Sequence, residues 1–124
     1  MGSLYLKNRI PDGSKLCISI VEGPTTPQGS FVASARLVLE DGSEEIWDDS
    51  QVHPGPKCKK LRSPEGYVWR VRIAFTSAAT QTAIINATIT KPDGTVFGKP
   101  YAEPVSGRNG DIARATIMAI TQQQ

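Results

Sequence analysis

In GYVWRVRIAFT, residues 66–76, large apolar side chains recur at every second position. Tyr67, Trp69, Val71, Ile73 and Phe75 share one parity, while Arg70, Arg72 and Thr76 hold the other. A period of two is the geometry of a strand, whose successive side chains leave opposite faces; a helix would scatter these residues around its axis. A strand with one apolar face needs other strands to cover that face and to pair its backbone. The chain supplies them. In SFVASARLVLE, residues 30–40, Phe31, Ala33, Ala35, Leu37 and Leu39 oppose Ser34, Arg36 and Glu40; in TAIINATIT, residues 82–90, Ile85, Ala87 and Ile89 oppose Asn86, Thr88 and Thr90. KLCISIV, residues 15–21, places Leu16, Ile18 and Ile20 on one face and Lys15, Cys17 and Ser19 on the other.

Turn chemistry separates these runs. Asp41-Gly42 joins the strand ending at Glu40 to EEIWDD, and Pro92-Asp93-Gly94 joins TAIINATITK to TVFG; in both, glycine supplies the positive φ that a tight reversal needs. Pro11-Asp12-Gly13 separates LYLKNRI from KLCISIV, and PTTPQG separates that strand from the next. The segment IARATIMAIT reads two ways: Asp111 could cap a helix, but Ile112, Thr116, Ile117 and Ile120 are β-branched, and the strand is favoured. No repeat or linker divides the 124 residues, a length for which one core is enough. The expected fold is all-β: one antiparallel β-sandwich domain over residues 1–124, of seven to eight strands and immunoglobulin-like in general architecture.

Composition excludes several functions. A net charge of +2 is too small to hold nucleic acid or an anionic membrane by field strength, and the aromatics interleaved with Arg70 and Arg72 face inward, where they cannot stack on bases. No apolar run approaches the roughly 18 residues of a membrane-crossing helix, so a soluble protein without a membrane span is expected. No glycine-rich phosphate loop or dinucleotide fingerprint is present, and no cofactor is expected. Nothing assigns a compartment.

Charge is concentrated in EEIWDDSQVHPGPKCKKLR, residues 44–62. Six acids lie between positions 40 and 49, and six bases, Lys57, Lys59, Lys60, Arg62, Arg70 and Arg72, between 57 and 72. Either neighbouring strands pair these charges across a solvated face, or the basic arm receives an acidic partner such as a phosphorylated, sulfated or carboxylate-rich surface. His53 is the only histidine, and no nucleophile elbow accompanies it. A thiol enzyme would pair it with Cys58, whose neighbours Lys57 and Lys59 favour thiolate. The spacing of Asp48, Asp49 and His53 matches no established metal site. With Ile46 turned inward, Trp47 lies outside among acids and could stack on a sugar while Asp48 and Asp49 accept from its hydroxyls; with the opposite parity Trp47 is core. Cys17 on an outer face speaks against a core-spanning disulfide to Cys58, and a bond between them would require one face assignment to be revised. The loop 102–111, with Arg108 and Asn109, is read as mobile and as a recognition loop.

The leading expectation is thus a binding module, not an enzyme, that meets a protein or an anionic or glycan ligand through the charged arms at 44–62, with Lys57, Lys59, Lys60 and Arg62, and the loop 102–111, with Arg108 and Asn109. The alternatives are a lectin-like sandwich using Trp47, Asp48, Asp49 and His53, and a thiol enzyme using Cys58 and His53. Pairing of exposed strand edges into a homo-oligomer is a further expectation.

Overall fold

The computed structural model describes residues 3–62 and 66–121; Met1 and Gly2, at the start of the N-terminal stretch, lie outside the described residues. In chain order the elements are β1 (Ser3–Ile10), β2 (Lys15–Glu22), β3 (Phe31–Leu39), β4 (Glu44–Trp47), α1 (Asp49–Val52), β5 (Lys57–Lys60), β6 (Gly66–Phe75), β7 (Gln81–Thr90), β8 (Val96–Gly107) and β9 (Ile112–Thr121). They form a sandwich of two four-stranded antiparallel sheets, ordered β9-β6-β3-β4 and β5-β2-β7-β8. The N-terminal β1 adds a fifth strand, parallel to β9, at the edge of the first sheet.

The alternation read from the sequence is the alternation of burial. Tyr67, Trp69, Val71, Ile73 and Phe75 are buried, as are Leu16, Ile18 and Ile20 of β2 and Ala83, Ile85, Ala87 and Ile89 of β7. Each large aliphatic side chain so covered stabilises the fold by roughly 1.5–3 kcal/mol relative to exposure. Aromatic packing anchors the centre. Trp69 has Trp47 of β4 at 6.0 Å between ring centroids on one side and Tyr67 stacked at 5.9 Å on the other. The hairpin turns close as their chemistry suggests: Asp41 accepts from the backbone and hydroxyl of Ser43, Asp93 does the same for Thr95, and Gly42 and Gly94 take φ of 87° and 90°.

The C-terminal segment is the strand β9, with Ala113, Ala115, Ile117 and Ala119 buried. Asp111 caps no helix. Its carboxylate accepts from Arg108 N–H at 3.0 Å and its carbonyl from Phe75 N–H at 3.0 Å, which fixes the turn before β9. The loop expected over residues 102–111 is corrected in the same region. β8 runs through Gly107, and only residues 108–111 turn. As the outermost strand of its sheet, β8 accommodates Pro100 and Pro104, which cannot donate to a ladder.

The connectivity is not that of an immunoglobulin domain, in which the last two strands are sheet neighbours. Here β8 and β9 lie in different sheets, and β9 pairs with β6. Among the described residues no helix is long and apolar enough to cross a membrane.

Candidate functional site

The acidic and basic arms meet along one open side of the sandwich, where β4 ends one sheet and β5 ends the other. β4 is only four residues long and places Trp47 inward, 1% exposed, and Ile46 outward, 60% exposed. This overturns the stacking role for Trp47: its indole is core, its Nε1 donates to Glu45 at 3.3 Å, and the Lys57 ammonium lies 5.9 Å from its ring centroid. Lys59 Nζ donates to Glu45 across the edge, and that hydrogen bond holds the Glu45 carboxyl below the usual range. Two of the arm's lysines are therefore engaged in closing the edge. Lys60 stands outward opposite Lys15, and the backbone N–H of Arg62 donates to the Tyr67 hydroxyl at 2.8 Å.

Asp48 and Asp49 leave the strand to start the short helix α1. Asp48 caps it, accepting from Gln51 N–H while Gln51 Oε1 accepts from Asp48 N–H, the reciprocal pattern of a capping box. Asp49 accepts from Ala33 N–H at 2.7 Å and contacts His53 Nδ1 at 2.9 Å. The other ring nitrogen of His53 lies 2.8 Å from Glu22 of β2, and the ring stacks on Phe31 at 4.5 Å. Burial alone would lower the His53 pKa, but the hydrogen bonds and charges of Asp49 and Glu22 outweigh it, and the net shift is upward from 6.5. An imidazolium between two carboxylates on opposite ring edges fastens α1 to β2; its nitrogens face away from each other and cannot converge with both acids on one ion. Among the described residues no group of three or more His, Cys, Asp or Glu is placed to hold a metal.

Cys17 and Cys58 are bonded, with S–S at 2.01 Å. The outward assignment of Cys17 holds, and the expectation that a bond would overturn it does not. The two residues are direct cross-strand partners in β2 and β5, so the bond lies on the outer face of one sheet instead of crossing the core. Cys58 consequently has no free thiol and His53 is held by carboxylates, so the dyad of the thiol-enzyme reading is not assembled. Arg108 and Asn109 sit in the turn after β8. Asn109 N–H is tied to the Ser77 carbonyl at 2.7 Å, and β8 is at the edge opposite β5. They do not join the lysine arm.

What the sequence reading missed is on the outer face of the five-stranded sheet. Pairing places Arg36 of β3 directly opposite Arg70 of β6, followed by Thr116 of β9; the next row is Ser34, Arg72 and Arg114. Apolar rows flank this band, Val38, Val68 and Met118 on one side and Val32, Ala74 and Ile112 on the other. The arginines line a shallow concavity of about 910 Å³, together with Ile46, Val68 and Met118. Arg36 also meets Glu44 at 3.8 Å; all four arginines are exposed. Outward parity had already placed Arg36, Arg70 and Arg72 behind their apolar faces. Only the strand register brings them together with Arg114.

No protein-family description, curated protein or solved structure matches this chain.

Proposed function

We propose that the protein is a non-catalytic binding module that recognises an anionic ligand through the arginine band of β3, β6 and β9. The observation that carries this reading is the strand register that sets Arg36 opposite Arg70 and Arg72 opposite Arg114 on one outer face. Like charges directly across a ladder cost roughly 0.2–1 kcal/mol each, and a face that needed only to be wet could use threonine or serine. An anion received among these guanidiniums would offset whatever repulsion that register brings. The four residues are all arginine, whose planar fork grips oxyanions and which is enriched where surfaces are recognised, whereas lysine is depleted there. Lys15 and Lys60 also oppose each other on β2 and β5, but as a single pair at the ends of their strands.

The test is a titration of the ¹⁵N-labelled protein with inorganic phosphate, pyrophosphate and polyglutamate, followed by amide chemical shifts at low salt. Shifts centred on β3, β6 and β9 support the reading. Shifts confined to residues 57–62 and 108–109, or none beyond a salt control, overturn it.

A further inference from the structure

Among the described residues three large apolar side chains stand exposed, and two of them, Ile46 and Val32, lie on the outer face that carries the arginines. A small oxyanion gives them nothing to touch, whereas a protein surface does, and arginine beside apolar side chains is the composition of a protein interface. The register shows how the face is divided. Ile46 of β4 stands beside Arg36, in the row of Arg70 and Thr116; Glu44 stands beside Val38, in the row of Val68 and Met118. A diagonal from Ile46 to Met118 runs between these rows, past Val38 and Val68. On one side of it lie Glu44 and, past the end of β3, Glu40 and Asp41, with the Glu40 carboxylate beside Gly66. On the other lie Arg36, Arg70, Arg72 and Arg114.

A face divided in this way is complementary to itself. A half-turn about the diagonal lays the acidic side of one copy over the arginine side of another and brings Ile46 and Met118 against their own counterparts, the arrangement of an isologous dimer. With strands about 4.8 Å apart and residues about 3.4 Å apart along them, Glu40 and Arg72 stand at equal distances, about 10 Å, on opposite sides of the diagonal. Arg36 is answered by Glu44, and Arg114 interacts within its own chain, so the cations offered across are Arg70 and Arg72, which no ion pair among the described residues takes in. Glu40 and Asp41 match them in number and in sign. The nine residues of β3 and the ten each of β6 and β9, with the four of β4 beside them, cover about 550 Å² in projection. The accessible area of a corrugated face is larger and approaches the roughly 800 Å² per partner of a specific interface. The sheet edges are less suited to a second copy, because β8 carries Pro100 and Pro104 and β4 has only four residues, both of which disfavour strand addition.

We infer that the outer face of the five-stranded sheet docks onto the same face of a second copy of this chain, with Ile46 and Met118 on the two-fold axis and Glu40 and Asp41 of each copy facing Arg70 and Arg72 of the other. This rests on the anion-binding reading above and names the anion as the carboxylates of a like chain.

Sedimentation equilibrium of the full chain, with cysteine crosslinking and charge reversal, tests it. The wild type should form a dimer in the micromolar range, and polyglutamate, contending for the same arginines, should dissociate it. Under air oxidation Ile46→Cys should crosslink one copy to another across the axis. Val32→Cys, similarly exposed on the same face but about 14 Å from the axis, should not. Glu40→Lys and Arg72→Glu should each weaken the dimer at least about tenfold, and an equimolar mixture of the two variants should restore it, because opposite charges then face each other in both halves. A variant that had merely failed to fold would not be restored by mixing. A monomer up to about 1 mM, a dimer indifferent to polyglutamate, crosslinking through Val32→Cys in place of Ile46→Cys, or a mixture no better than its parts overturns the dimer. In those cases polyglutamate-induced shifts on β3, β6 and β9 would still stand for the broader reading. Absence of both the dimer and any shift there removes both.

Discussion

Removing the Cys17–Cys58 bond, by the double change Cys17→Ala and Cys58→Ala, is the perturbation whose size follows most directly from the fold. The bond joins residues 41 apart in sequence. Closing a loop of that length removes chain entropy from the unfolded state equivalent to about 4 kcal/mol at 25 °C. Against this, β5 is a four-residue edge strand and Cys58 is exposed, so the reduced native state gains some local freedom, which makes the figure an upper value. For 124 residues the unfolding entropy near the midpoint is about 0.26 kcal/mol/K, so the expected drop in Tm is about 15 °C. Urea denaturation of the oxidised wild type and the double variant measures the free-energy difference, and the m-value of the variant should be larger because its unfolded chain is less restrained. A loss below about 1 kcal/mol with unchanged m would refute the reasoning. It would mean that the loop is constrained in the unfolded state by something other than the bond.

Three further outcomes follow from particular contacts. His53 has a folded-state pKa above 6.5, so its contribution to stability is fully present below about 6.5 and is lost as pH rises through the raised value. The urea midpoint should fall between pH 6 and pH 8.5 in the wild type and fall less in His53→Gln; equal slopes would remove the carboxylate clasp. Trp47→Ala should cost about 3–5 kcal/mol through the cavity it leaves beside Trp69. Quenching of wild-type tryptophan emission by monosaccharides would contradict the burial on which that figure rests. Arg70→Thr, which breaks the opposition to Arg36 with a strand-favouring residue, should raise stability by a few tenths up to about 1 kcal/mol while weakening anion binding, and an equal or lower urea midpoint would argue against a repulsive pair.

The parts of this fold that were legible in the sequence are those set by period two and by glycine turns. Burial in β2, β3, β6 and β7 follows the alternation, with Leu39 at the end of β3 only half-buried, and the Asp-Gly turns form where the sequence places them. Trp47 could not be decided because β4 has four residues, too few for parity to select a face; the indole turns inward because Trp69 offers it a packing partner from another strand. The helix α1 was hidden for the same reason of length, although Asp48 and Gln51 carry the capping pair in plain order. Reading the 102–111 stretch as loop gave weight to its glycine and proline, while the pairing of β8 with β7 from Gln81 through Ala87 overrides that composition. The disulfide was misjudged because facing outward was treated as facing no partner. Register was the missing quantity, and register, not residue type, also assembles the four arginines.

The two outer faces of the sandwich permit a comparison within one molecule. Both sheets must present polar side chains to water at every second position of their central strands. On β7 the requirement is met by Thr82, Asn86, Thr88 and Thr90, with Ile84 among them, and none of these carries charge. On β6 and its neighbours the same requirement is met by Arg36, Arg70, Arg72 and Arg114, four of the seven arginines in the chain. Solvation alone therefore does not call for arginine on a central strand, since β7 meets it without charge and outward lysines of that sheet, Lys15 and Lys60, stand at the ends of β2 and β5. Nor does closure of the sheet edge, which is carried out by Glu45 with Lys59, by His53 with Asp49 and Glu22, and by the disulfide. The charges of Glu45, Lys59, His53, Asp49 and Glu22 at that edge are answered within the molecule, and Lys57 lies over the Trp47 ring. Glu44 contacts Arg36 at the edge of the band, and under the proposed reading a bound anion would answer the opposed charges of Arg70 and Arg72 at its centre.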